Sequence, residues 1–79
     1  FIFALVQLLT KHGTTLDEVK ELFRSQTSEC AMEPMDNGEF DLMIRFVDSE
    51  DPYYYCFKDE GCHIIYHRFL PEDYADFGF

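Results

Sequence analysis

The chain has no tryptophan, three cysteines, three prolines and four glycines, and only six lysines and arginines to set against sixteen aspartates and glutamates. Each scarcity excludes something. Cys30, Cys56 and Cys62 are an odd set too sparse for a disulfide framework, and they read as thiols of a reducing, cytoplasmic compartment. The apolar opening, Phe1 to Leu9, falls well short of the roughly 18 residues that argue for a membrane span, so it reads as a core helix. Nucleic-acid backbones and anionic membranes are bound through clustered Lys and Arg, and the shortage of both disfavours direct binding of either. Gly38 and Gly61 stand alone as turn residues, with no phosphate-loop pattern around them.

The negative charge is unevenly spread. Residues 1–28 balance Asp17, Glu18 and Glu21 against Lys11, Lys20 and Arg24. Residues 29–51 set eight carboxylates against Arg45 alone, and residues 52–79 set five against Lys58 and Arg68. The whole formal charge of −10 therefore sits in the second two-thirds of the chain.

What is abundant is aromatic. Nine Phe and five Tyr serve a chain of 79 residues, which makes one small domain, 1–79. A chain of this size buries only about 60 to 65% of its unfolded surface, and each enclosed ring contributes roughly 150–250 Å², so rings must supply much of the core.

The spacing of these residues predicts the elements. Ile2, Leu5, Leu8 and Leu9 recur at helical intervals, with Lys11 and His12 in the last turn and Gly13 as a stop. Thr15-Leu16-Asp17-Glu18 has the Thr-x-x-Glu form of a capping box and predicts a second helix from Leu16, with Leu16, Val19, Leu22 and Phe23 as its apolar stripe. Residues 25–38 are polar and contain Pro34 and Asn37-Gly38, which predicts a loop. From Glu39 to Val47 the pattern alternates, with Phe40, Leu42, Ile44 and Phe46 on one face of a strand. Asp48 to Pro52 reads as a turn, Tyr53 to Phe57 as a second strand and Cys62 to Phe69 as a third, joined by Asp59-Glu60-Gly61. Pro71 followed by Glu72 and Asp73 suits one short helical turn.

The stretch YYYCFKDEGCHIIYH, residues 53–67, holds two cysteines and two histidines and raises the question of a metal. In a strand, His63 and His67 share a face but stand about 13 Å apart, too far to ligate one ion. Cys56 and Cys62 are separated by five residues, outside the usual zinc-knuckle spacing. Cys62 and His63, as neighbours in a strand, point to opposite faces, and no motif supplies an oxyanion hole, so no catalytic residue and no cofactor is expected. Asp48, Glu50 and Asp51 lack the spacing of a calcium loop and read as a solvated turn. Two helices followed by strands share the outline of winged-helix domains, yet the second helix offers Asp17, Glu18 and Glu21 to any phosphate.

The fold expected is α+β: an N-terminal helical hairpin packed on a three-stranded antiparallel meander, with a short C-terminal turn or tail. The helices are expected to bury Phe40, Leu42, Ile44 and Phe46. Function then falls to the other face, the loops and the tail. The expected role is a non-enzymatic protein-binding module that turns its negative field on a basic partner, concretely the nucleic-acid-binding surface of a nuclease or similar protein. The residues expected at that contact are Asp41, Asp48, Glu50, Asp51, Tyr54, Glu72, Asp73, Tyr74, Asp76 and Phe77, with rings at the centre and carboxylates around them. In size, charge and lack of a catalytic motif the chain is similar to small acidic phage proteins that block restriction or CRISPR nucleases, a similarity of character that carries over no residue. Two alternatives stand beside it: an accessory domain of a larger protein, and a zinc-binding domain using Cys56, Cys62, His63 and His67.

Overall fold

The second helix begins where its sequence places it. Thr15 Oγ1 accepts a hydrogen bond from the backbone N–H of Glu18 at 3.3 Å, forming the threonine half of the capping box and starting a helix over Leu16–Arg24. In this computed structural model, which describes residues 1–26 and 28–76, that helix (α2) follows α1, Ile2–Leu9. Lys11 and His12 lie beyond the end of α1 rather than in its last turn. The hairpin turn is fixed by Thr14, which is buried and donates from Oγ1 to the carbonyls of Leu8 (2.7 Å) and Lys11 (3.1 Å). Gly13 takes a φ of 84°, open to glycine at little cost, and its N–H donates to the carbonyl of Cys62.

Four strands follow, not three: β1 Cys30–Pro34, β2 Leu42–Phe46, β3 Tyr54–Asp59 and β4 Ile64–Phe69. They form one antiparallel sheet in chain order. The added strand, β1, lies in the segment whose polar composition predicts a loop. It pairs with β2 from Cys30↔Phe46 to Pro34↔Leu42 and brings Cys30 and Met32 against the core, with Glu33 on the opposite face. Pairing and burial outweigh local composition here. The other strands start or end a few residues from expectation. Cys62 and His63 belong to the β3–β4 turn, and Asp59 belongs to β3.

The helices cover one face. Leu5, Leu9, Val19 and Phe23 meet Leu42, Ile44, Tyr55, Phe57 and Ile64 in a single buried cluster. Phe23 is fully enclosed among rings, with centroids 5.4 Å from Phe46 and Tyr55 and 5.9 Å from Phe57. Phe46 and Tyr53 pack on the cluster from its margin. Phe40 does not join this face: its ring meets that of Phe69, 6.0 Å away, because Phe40 precedes β2 and escapes the alternation.

The opposite face is also buried at its centre. Met43 and Cys56, partners across β2 and β3, are 2% and 0% exposed. Over this face lies α3, Pro71–Ala75, with Pro71 at its first turn, as the sequence predicts. Its Tyr74 ring sits 4.6 Å from that of Tyr54 and 6.5 Å from that of Phe69.

Candidate functional site

A meander sorts its connections by end. The β2–β3 loop (residues 47–53), the start of β1 and the end of β4 share one end of the sheet, while the β1–β2 loop (residues 35–41) and the β3–β4 turn (residues 60–63) share the other. This topology brings Asp48, Glu50 and Asp51 to the same end as α3, which carries Glu72 and Asp73 in its first turn and Asp76 at its C-cap. Glu29 joins them, since its carbonyl accepts from the N–H of Val47 at 2.8 Å. Carboxylates near both ends of the sequence's acidic two-thirds are thus carried by elements that meet at one end of the sheet.

The β2–β3 loop is held by its own side chains. Ser49 Oγ accepts from the N–H of Asp51, and Asp51 Oδ1 accepts from the N–H of Tyr53, both short-range turns that aspartate and serine favour. Asp51 Oδ2 also accepts from the Tyr55 hydroxyl at 2.6 Å. Burial, followed by this bond and the charge of Asp51, pushes the Tyr55 hydroxyl well above the usual tyrosine range; the Arg68 guanidinium acts in the opposite sense. Asp51 therefore anchors the loop, while Asp48 and Glu50 remain exposed beside it. Among the described residues the ion pairs are Lys20–Asp17, Arg24–Glu21 and Lys58–Asp41, none of them at this end.

Asp41 is the expected contact residue that lies elsewhere. It sits at the opposite end, where Oδ2 accepts from the N–H of Asp59 and Oδ1 lies 3.8 Å from Lys58 Nζ. Tyr54 and Tyr74 are both half-buried, and their rings meet at an inclination of 42°. Burial raises the Tyr74 hydroxyl above its ordinary range, and the charges of Cys56, Glu33 and Tyr54 add to the shift. Glu72, Asp73 and Asp76 are exposed. Phe77 lies outside the described residues.

Two arginines join the site that its acidic sequence did not advertise. Arg45 lies 5.5 Å from the Tyr54 ring centroid and Arg68 4.5 Å from that of Tyr53, within cation–π reach on opposite faces of the sheet. Their signal was available in the alternation, since Arg45 and Arg68 each fall one strand across from a tyrosine, at Arg45↔Tyr54 and Arg68↔Tyr55.

The zinc candidates separate into two pairs. Cys56 faces His67 within the β3–β4 ladder, and Cys62 and His63 occupy the turn. The turn also overturns the expectation that these neighbours diverge: Cys62 Sγ and His63 Nδ1 are 3.3 Å apart, because neither residue has strand geometry. Among the described residues no three His, Cys, Asp or Glu side chains come together as a metal site. No helix among them is long and apolar enough to cross a membrane. What the acidic end does offer is exposed carboxylates on a loop braced by Ser49 and Asp51 and on α3, with the Tyr54 and Tyr74 rings nearby.

A protein-family model described as "Domain of unknown function, E. rectale Gene description (DUF3877)" matches residues 1–78. No curated protein and no solved structure matches the chain.

Proposed function

We propose that this chain, which belongs to the DUF3877 family, is a non-enzymatic protein-binding domain that presents its acidic end to a basic surface of a partner. The observation that carries the reading is the convergence of Asp48 and Glu50 with Glu72, Asp73 and Asp76 at one end of the sheet, without an ion pair there among the described residues. Like charges gathered this way repel one another, and a cationic partner relieves that repulsion while the field speeds its approach. The most concrete partner is a nuclease or other nucleic-acid-binding protein, whose Lys and Arg would meet these carboxylates in place of phosphates. Tyr54 and Tyr74 supply the rings against which such a contact is seated.

The test combines a capture experiment with substitution. Captured from the native source, the partner should have a nucleic-acid channel. It should be retained at about 0.1 M salt and lost at about 0.5 M, where screening shortens from about 10 Å to nearer 4 Å. Asp48→Asn, Glu50→Gln, Glu72→Gln and Asp73→Asn together should abolish capture, and an oligonucleotide should compete with the wild-type chain. Capture that ignores salt, substitution and oligonucleotide alike would rule the reading out.

A second reading has its own observation. On α1, Phe3 is 85% exposed and Ile2 and Val6 are about 40% exposed, an apolar strip that suits an accessory domain packed against another part of a larger protein. Phe3→Lys with Val6→Lys should then improve the solubility of the isolated domain while weakening that packing.

A further inference from the structure

A surface helix ordinarily turns one apolar stripe to the core and a polar face to water. α2 does so: Val19 and Phe23 are buried, while Asp17, Glu18, Glu21 and Arg24 are exposed. α1 does not. Leu5 and Leu9 are buried, yet the outer side presents Ile2, Phe3 and Val6, with Phe3 85% exposed, and no charged residue occurs from Phe1 to Thr10. A helix apolar all round belongs in a buried setting. Its eight residues, about 12 Å of helix, are too short to cross a membrane, so the cover it calls for is protein.

The strip begins where the acidic β2–β3 loop leaves the sheet. The Phe1 ring lies 5.2 Å from that of Phe46, the last residue of β2, and 6.2 Å from that of Tyr55, whose hydroxyl holds Asp51. Past Phe46 the chain runs through Val47, itself 46% exposed, into Asp48, Ser49 and Glu50. The other end of α1 leads to Gly13, whose N–H donates to the Cys62 carbonyl at the opposite end of the sheet. Exposed apolar surface therefore adjoins the loop carboxylates at the start of α1 and continues away from them along the helix. Among the described residues Asp48 and Glu50 enter no ion pair.

The geometry points to the outer face of α1 and the β2–β3 loop as one continuous seat, whose occupant is an amphipathic basic helix of the partner protein. This deepens the reading of the acidic end as a partner-binding surface and rests on it. Aliphatic residues at helical intervals on the partner pack between Ile2, Phe3 and Val6, as ridges of one helix enter the grooves of another. Lys or Arg at the end of that helix nearer the loop meet Asp48 and Glu50. An uncharged helix would cover the strip and leave the carboxylates unmatched. A second copy of this chain fits less well, because its α1 brings no cation and the copy adds a further net charge of −10.

The probe is a blocked peptide of about 14 residues, with Leu at helical intervals and Lys elsewhere, titrated into the isotopically labelled chain and followed by amide chemical shifts. Saturable shifts at residues 2–7 and 47–50 together are expected. A peptide of the same composition, scrambled so that no stripe forms, should bind about tenfold more weakly and leave residues 2–7 unmoved, and a Leu-Glu version should fail. Phe3→Ser, and Asp48→Asn with Glu50→Gln, should each weaken binding of the striped Lys peptide about tenfold. The peptide comparison is read on the unaltered chain, so it stands even if a variant does not fold. Equal binding of the striped and scrambled Lys peptides, with shifts confined to residues 47–50, would overturn the shared seat and leave the acidic-end reading in place. Equal binding of the Lys and Glu peptides would overturn both. Absence of saturable shifts would overturn the proposal, and so would shifts at residues 2–7 on concentrating the protein alone, since the occupant would then be a second copy.

Discussion

The two faces of the sheet are buried to the same depth by different means. On the helical face Phe23, Tyr55 and Phe57 are fully enclosed beneath α2, a nine-residue helix with its own N-cap. On the opposite face Cys56 and Met43 are as well hidden, yet the element over them is α3, five residues long and tied down through Tyr74. A helix of five residues does not hold together without the surface it packs on. Equal burial therefore conceals unequal resistance to opening, and the weaker cover belongs to the element that carries Glu72, Asp73 and Asp76 into the acidic end.

The largest expected effect is on the strong face. Phe23→Ala should lower unfolding free energy by about 3 to 5 kcal/mol, the usual cost of removing an enclosed ring, measured by urea denaturation. In so small a domain a loss of that size threatens folding altogether. A loss below about 1 kcal/mol would mean that the two faces share the load evenly.

Alkaline titration probes the weak face. Burial pushes the Cys56 thiol from 9.0 up to about 11. Above pH 9 the unfolded chain releases a proton that the folded chain keeps, so stability present below pH 9 falls as pH rises towards 11, by about 2 kcal/mol at pH 11. Tyr55, also raised, adds its own decline above its ordinary value of 10.0. Urea midpoints between pH 8 and 11 should fall for the wild type from pH 9, and less steeply for Cys56→Ala, in which the half-buried Cys30 thiol, also raised from 9.0, still contributes below pH 10. Identical curves would show that Cys56 is in water contact and that α3 does not seal the face.

Tyr55→Phe addresses the join between strong face and acidic loop. It leaves Asp51 Oδ2 without its 2.6 Å donor and should cost about 1 to 2 kcal/mol. It should also loosen residues 48–51 in amide exchange.

The difference between the faces also explains what the sequence could and could not reveal. The helical hairpin was legible because Thr15, Glu18 and the stripe Leu16, Val19, Leu22 and Phe23 act over one or two turns. β1 was not: Cys30 and Met32 are too few to mark alternation beside Glu33 and Pro34, and its strand conformation is set by pairing with β2. The acidic residues were plain in composition. Their gathering at one end depends on the direction of each strand, which separates Asp41 from Asp48 although only six residues lie between them. The Cys62–His63 contact was hidden for a related reason, since β4 starts two residues later than expected and leaves both side chains in the turn, free of strand alternation.

The smallest effect is the most discriminating, because it separates opening of one face from opening of the whole. The three thiols differ in access: Cys62 is exposed, Cys30 is half-buried against the helical face, and Cys56 is enclosed under α3. A disulfide reagent near neutral pH should label Cys62 at once and Cys56 only through transient opening. Tyr74→Ala removes the ring that pins α3 to Tyr54, a local loss of about 1 kcal/mol, and should speed Cys56 labelling about fivefold. Cys30, on the other face, should keep its wild-type rate. If Cys30 and Cys56 accelerate together, opening is global and the two faces are one cooperative unit. If Cys56 alone responds, α3 lifts separately, and the carboxylates of Glu72, Asp73 and Asp76 can shift position against Asp48 and Glu50 without unfolding the sheet beneath them.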